Sequence, residues 1–294
     1  MLEKRDIADF TNRIIWGDCI EIMQKMPAKS VNLTFASPPY EDARAYEMNF
    51  SLCGQEWVDW CVERFLQCVR VTNGLVAWVV EGKTKKFRWS AAPVLLMADL
   101  HRHGVNLRKP PAFHRVGIPG SGGTDWLRND WEFIVCATTG GKLPWSENTA
   151  MGDRCKYGPG GNPSHRTKSG QRVNRRNPGD VDVQTRRKPN GDRPRDGMYR
   201  EPKIANPGNV IHCAVGGGLM GSRLCHENEA PFPEDLAEFF IRSFCPPSGI
   251  VLDPFSGSGT TAATAKKLGR QFIGIDIRES QVDLANRRLQ EEAV

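Results

Sequence analysis

Residues 250 to 276 read Ile-Val-Leu-Asp-Pro-Phe-Ser-Gly-Ser-Gly-Thr-Thr-Ala-Ala-Thr-Ala-Lys-Lys-Leu-Gly-Arg-Gln-Phe-Ile-Gly-Ile-Asp. The order strand, tight turn, helix, strand decides the fold. Ile250, Val251 and Leu252 form a short apolar run. Gly257 and Gly259 then allow a sharp turn and close approach of backbone to a ligand, and Thr260 to Leu268 has helical composition. Phe272, Ile273 and Ile275 give a second strand that Asp276 closes, a position from which a carboxylate reaches ribose hydroxyls in nucleotide-binding α/β units. The stretch is one half of a nucleoside-binding fold. It carries no Walker lysine, which argues against a phosphate loop.

Upstream, Arg13 to Trp16 reads as a strand, and Asp18 follows its C-terminal end, where ligands of open α/β sheets collect. Asp18 also suits an N-cap for a short helix that presents Ile20, Met23 and Met26 on one face. Val31 to Ala36 is the next strand, and Ser37-Pro38-Pro39-Tyr40 leaves it at the same edge. Two successive prolines fix φ and hold Ser37 extended, so the loop is stiff and presents oriented acceptors.

Asp253-Pro-Phe-Ser-Gly-Ser-Gly-Thr-Thr resembles the cofactor motif of S-adenosylmethionine-dependent DNA amino-methyltransferases, and Ser37-Pro-Pro-Tyr40 resembles their catalytic motif. The order, catalytic before cofactor, is similar to the β-class circular permutation of that family, over roughly residues 13 to 290. The resemblance implies an α/β, Rossmann-like methyltransferase fold with a mostly parallel central sheet, circularly permuted, plus a basic insertion. It implies S-adenosylmethionine as cofactor, with Asp18 at its adenine, Asp276 at its ribose, and Phe255, Gly257 and Gly259 at its methionine part within a loop that includes Ser258 and Thr260. Asp253 supports the loop or meets the amino group, and Phe232 packs near the cofactor or fills the core. Phe232 belongs to His226-Glu-Asn-Glu-Ala-Pro-Phe-Pro233, which resembles a family signature with two additional residues between His and Ala, weakening any carry-over of His226.

The resemblance also implies the catalytic roles. Ser37 Oγ and the Pro38 carbonyl accept hydrogen bonds from an exocyclic amino group, Pro39 stiffens the loop, and Tyr40 stacks on the extruded base. A motif that begins with Ser looks like the N4-cytosine group, with adenine N6 as the alternative. A dinucleotide-dependent oxidoreductase leaves Ser-Pro-Pro-Tyr unexplained; an inactive DNA-binding relative and an RNA methyltransferase are further alternatives.

The 294 residues suffice for one sizeable α/β domain and an insertion. Hydrophobic residues make up 39% and mean hydropathy is −0.47, so part of the chain adds little to a core. That part is residues 140 to 209, where Gly, Pro, Arg and Lys replace large aliphatics. Residues 154 to 203 hold 14 Lys or Arg against 5 Asp or Glu, a balance of +9, which leaves −3 for the rest of a chain of net charge +6. Three parts are expected: 1–139 as the catalytic half, 140–209 as a target-recognition insertion and 210–294 as the cofactor half. Arg166, Lys168, Arg172, Arg175, Arg176, Arg186, Arg187 and Lys188 are the expected contacts to double-stranded DNA phosphates.

Nine cysteines without a Cys-x-x-Cys pair read as reduced thiols. His212-Cys213 and Cys225-His226 are rejected as zinc ligands because neighbours on a strand face opposite ways, so no metal is expected. No apolar signal or membrane-spanning run occurs, and a cytoplasmic protein of a prokaryotic or phage-infected cell is expected. A homodimer and a cognate restriction nuclease are open as partners.

Overall fold

The computed structural model describes residues 5–42, 50–117, 125–153, 164–166, 169, 171–174, 204–216, 220–227 and 231–291. The chain divides into two compact units, Met1–Ala150 with Gly208–Val294, and Met151–Pro207. The second unit therefore begins later than residue 140: Leu143 packs on the core of the first unit and the Glu147 N–H donates to the Ser243 carbonyl at 2.9 Å.

In chain order the strands are β1 (Arg13–Trp16), β2 (Val31–Ala36), β3 (Thr72–Val80), β4 (Thr84–Lys85), β5 (Arg88–Trp89), β6 (Asn106–Leu107) and β7 (Ala112–Val116). They continue with β8 (Trp131–Thr138), β9 (Ser164–Arg166), β10 (Arg172–Asn174), β11 (Val210–Ala214), β12 (Ile250–Asp253) and β13 (Gln271–Asp276). The α-helices are α1 (Cys19–Lys25), α2 (Gln55–Val71), α3 (Ala92–Arg102), α4 (Glu234–Phe244), α5 (Thr260–Lys267) and α6 (Glu279–Glu291). In the second unit, β9 and β10 form an antiparallel pair.

The main sheet runs β1-β13-β12-β2-β3-β8-β7-β11, with β6 also paired to β8. From β1 to β3 every pairing is parallel; β8 is antiparallel to β3 and to β7, and β11 is parallel to β7. This is the mostly parallel Rossmann-like sheet that the 250–276 stretch implies. Its central strands are apolar on both faces because both are covered. Met23, Trp57, Phe65, Cys68 and Leu96 of α1 to α3 pack with Trp78, Leu252 and Ile273; on the opposite face Leu236, Phe240, Ala262 and Leu289 of α4 to α6 pack with Leu33, Phe35 and Val251.

One local expectation changes. The face that α1 buries holds Cys19, Ile22 and Met23, while Ile20 is only half-buried. Gly74 lies inside β3. A Cβ there would stand 2.1 Å from the Asn32 carbonyl oxygen, so only glycine admits the close approach of β2 at its irregular register.

Arg288 of α6 is fully buried, an unusual place for a guanidinium. It forms an ion pair with Glu234 at the start of α4, donates to Thr260 Oγ1 at 2.9 Å, and approaches the Ser258 carbonyl at 3.4 Å. Glu234 also meets Lys267 Nζ at 2.8 Å and accepts from the Ser222 N–H at 3.1 Å. Burial raises the Glu234 pKa, but the lysine and arginine outweigh it and hold the carboxyl below its usual value. The network ties α4, α5 and α6 to the glycine loop. Arg288→Ala removes the fully buried partner of a half-buried carboxylate that keeps Lys267, and is expected to cost about 1–3 kcal/mol; a denaturant midpoint like that of the native chain would refute this weight.

Candidate nucleoside and base site

Parallel pairing brings five strand ends to one edge: Trp16, Asp276, Asp253, Ala36 and Val80. A cavity of about 630 Å³ opens there, within the usual size range of small-molecule sites. Its walls include Asp18, Ser37, Pro38, Pro39, Tyr40, Phe232, Phe255, Gly257, Ser258, Thr260 and Asp276. Residues from both ends of the sequence thus share one cavity.

The glycine loop is built for close approach. Gly257 and Gly259 both have positive φ, +48° and +77°, a conformation costly for residues with a Cβ. Asp276 Oδ2 accepts the Gly257 N–H at 2.8 Å, and its Oδ1 accepts the Arg278 N–H at 2.9 Å. Burial pushes the Asp276 pKa up. Ser256 and Ser258 border the cavity, and their hydroxyls are buried with no hydrogen-bond partner among the described residues; that of Ser256 lies toward Gly274 of β13.

Two expected contacts fall behind the cavity wall. Gly259 faces α6, where an added Cβ would meet the Ala285 Cβ at 2.8 Å, so its lack of a side chain serves helix packing. Asp253 is buried and accepts the Phe255 N–H at 3.0 Å. Of the two roles expected for Asp253, loop support is the one with a partner in the protein.

At the far wall, Asp18 caps α1 through the Ile20 N–H at 2.8 Å and meets Arg64 Nη2 at 3.4 Å. Arg64 lies 4.0 Å over the Trp60 ring, and Trp60 stacks on Phe255 at 5.7 Å and meets Phe50 edge-on at 5.0 Å. Trp60 and Arg64 of α2 both line the cavity. They stand one residue out of phase with the buried set Trp57, Cys61, Phe65 and Cys68. A charge inside an apolar stripe was the available signal.

At the catalytic loop, Ser37 Oγ donates to the Val79 carbonyl at 3.2 Å, which leaves its lone pairs free to accept. The Trp57 indole N–H donates to the Pro39 carbonyl at 2.9 Å and fixes the loop to α2. Tyr40 Oη donates to Glu132 Oε2 at 2.7 Å, and Glu132 Oε1 meets Arg115 Nη1 at 3.0 Å. Burial raises the pKa of Glu132 against the opposing Arg115; burial and the Glu132 charge raise that of Tyr40. Glu132 and Arg115 line the cavity but had no motif to mark them, since β8 and β7 join the site only through sheet pairing. Phe232 packs edge-on to Phe35 at 5.2 Å, so cavity wall and core are both true of it.

Of the expected DNA contacts, Arg166 and Arg172 fall on β9 and β10. Lys168, Arg175, Arg176, Arg186, Arg187 and Lys188 lie outside the described residues, as does the His226 side chain.

Comparison with known proteins gives consistent matches. The family model described as DNA methylase, for N6 and N4 methyltransferases, matches residues 31–287. The Type II methyltransferase M.ScaI of Streptomyces caespitosus is 26% identical over 94% of this chain and 81% of its own length. The DNA adenine methyltransferase YhdJ of Escherichia coli (strain K12) is 26% identical over 94% of this chain and 82% of its own. Among solved structures, PvuII DNA methyltransferase (cytosine-N4-specific) superposes with TM-score 0.66 at 17% identity, covering 94% of this chain and 85% of that one.

Burial pushes the Asp253 pKa from 3.8 up to about 7, with the nearby Asp276 charge adding to it and hydrogen bonds from Thr261 and Phe255 opposing. The folded chain therefore binds this proton more tightly than the unfolded one, so the contribution is present below about pH 4 and is lost as pH rises through about 7. Asp253→Asn, uncharged throughout, is expected to flatten the ligand-free melting temperature across that window and to gain on the native chain above pH 7. Parallel pH profiles for the two would exclude the assignment.

Proposed function

The chain belongs to the DNA methylase family of N6 and N4 amino-methyltransferases, and from that premise we propose that it methylates N4 of a cytosine extruded from double-stranded DNA. S-adenosylmethionine is the cofactor of this family. The site fits it on the protein's own chemistry: Gly257 of the glycine loop, whose positive φ leaves the backbone open to close approach, and the carboxyl groups of Asp18 and Asp276 line a single cavity with Ser256 and Ser258.

When bound, the cofactor supplies an electrophilic methyl group on a sulfonium. Asp276, Asp18 and the Ser256 to Ser258 segment would hold it, with Phe255 and Trp60 covering its apolar side. An exocyclic amino group is a poor nucleophile because its lone pair is delocalised into the ring. Acceptors for both N–H groups favour the pyramidal nitrogen of the transition state. Ser37 Oγ and the Pro38 carbonyl are proposed for that task, and Tyr40 for stacking on the base. The observation that carries the reading is the Ser37 hydroxyl, whose proton is directed to Val79 so that its oxygen can accept. A neutral serine at this position favours cytosine. Adenine N6 is the second reading, favoured by the relationship to YhdJ.

We further propose that the basic segment around Arg166 to Lys188 contacts phosphates. Kinship with M.ScaI supports a cognate restriction nuclease as functional partner, in a bacterial or phage-infected cytoplasm.

Nucleoside mass spectrometry of plasmid DNA from methylation-free cells expressing the chain is expected to reveal N4-methylcytosine. N6-methyladenine would retain the mechanism and refute the choice of base; no methylated base would refute the DNA reading. Ser37→Ala is expected to lower the single-turnover rate by about 100-fold, in line with loss of one transition-state hydrogen bond. Its calorimetric affinity for S-adenosylmethionine should stay unchanged, and a fall in affinity without a fall in rate would move Ser37 to the cofactor.

A further inference from the structure

The methyl-transfer reading makes no use of the hairpin β4–β5, which leaves the same edge of the sheet. It pairs Thr84 with Trp89 and Lys85 with Arg88, so Lys86 and Phe87 form the two-residue turn. Three features set it apart. Phe87 is 84% exposed at the tip. Lys86 and Phe87 both adopt left-handed backbone, φ 50° and 63°, as a two-residue hairpin turn requires but as bulky side chains resist. Lys85 and Arg88 face one another directly across the strands, a like-charge pair that disfavours the isolated hairpin. From Gly82 to Ser90 the sequence holds four cations and no carboxylate.

The root of the hairpin, by contrast, is fixed to the catalytic loop. Glu41, next to Tyr40, is buried and accepts from the Gly54 N–H at 2.7 Å, from the Lys83 N–H at 3.3 Å and from the Ser90 hydroxyl. The Trp89 indole donates to Glu81 at 2.9 Å and its ring stacks on Phe133 at 6.1 Å. A rigid root thus carries a strained aromatic tip among cations. From Lys83, three residues at about 3.3 Å each reach roughly 10 Å beyond the sheet edge. A duplex that offers a base to the cavity must lie across that edge.

We propose that this hairpin is a wedge for duplex DNA: Phe87 stacks at the base step opened by extrusion of the target nucleotide, while Lys85, Lys86 and Arg88 hold the flanking phosphates. The inference rests on the DNA-methylase reading. Apolar side chains that insert between base steps offset part of the unstacking cost, and an anionic partner relieves the Lys85–Arg88 repulsion.

The test uses the full chain with S-adenosylmethionine and duplexes containing the methylated site mapped from plasmid DNA, with the target base paired or mismatched. Phe87→Ala is expected to slow single-turnover methylation of the paired duplex about 10-fold or more and to regain most of that loss on the mismatched one, where opening costs less. Phe87→Trp should keep the native rate. Alanine at Lys85, Lys86 and Arg88 should reduce the slope of log K against log salt by about 2 to 3, each phosphate contact contributing about 0.9. An unchanged rate for Phe87→Ala, or an equal loss on both duplexes, overturns the wedge, and an unchanged salt slope overturns the phosphate contacts. If the native chain transfers no methyl group to DNA, the parent reading fails and the wedge with it; native transfer with an unaffected Phe87→Ala sinks the wedge alone.

Discussion

The pairing of β2 with β12 is the constraint on which the molecule depends. Leu33 and Thr34 sit in register with Val251 and Leu252, segments more than two hundred residues apart in the chain. Asn32 reinforces the junction by accepting the Ile250 N–H at 2.8 Å. Adjacent parallel strands lie about 4.8 Å apart and end at the same edge. The loop after Ala36 and the loop after Asp253 therefore emerge side by side. Catalytic and cofactor motifs meet because two strands are hydrogen-bonded neighbours, whatever their order along the chain.

Around that junction, rigidity is supplied from behind. Arg288 braces the Ser258 and Thr260 backbone and side chain, Asp276 holds the Gly257 N–H, Trp57 holds Pro39, and Glu41 holds the start of the hairpin. Of these supports only Asp276 lines the cavity. Their effect is to spare the reaction the entropy of arranging its own acceptors, which is where positioning catalysis finds most of its acceleration. The cavity side of the same loops presents Ser37, Asp18 and Gly257 beside the apolar faces of Phe255 and Trp60. Order behind and polar groups in front distinguish a binding wall from a packed core.

The electrostatics follow the same division. Asp253 and Asp276 share a buried corner whose dielectric favours their neutral forms, whereas Glu234, half-buried, is held ionised by two cations. Burial alone does not fix a carboxyl's state; the presence of a partner does. Glu132 lies between these cases, with Arg115 on one oxygen and the Tyr40 hydroxyl on the other.

Much of this was legible in the sequence. Ile250 to Asp276 and Arg13 to Tyr40 have strong local signals, because glycines, prolines and apolar runs act through the backbone of their own segment. The strand Val31 to Ala36 and the helix that begins at Thr260 follow from the same local physics. What only the tertiary structure decided is which side chains stand opposite one another. Trp60 and Arg64 share a helix with core residues and differ from them by one position of phase. Glu132 and Arg115 enter through antiparallel pairing of β8 with β7, and Arg288 is a charge in a helix of charges until α4 and α5 close over it. Gly259 illustrates the limit: its sequence context announces a glycine loop, but only the contact with Ala285 tells that the missing side chain makes room for a helix. Local sequence determines backbone conformation through short-range sterics, whereas burial and partnership depend on segments remote in the chain, which no local pattern encodes.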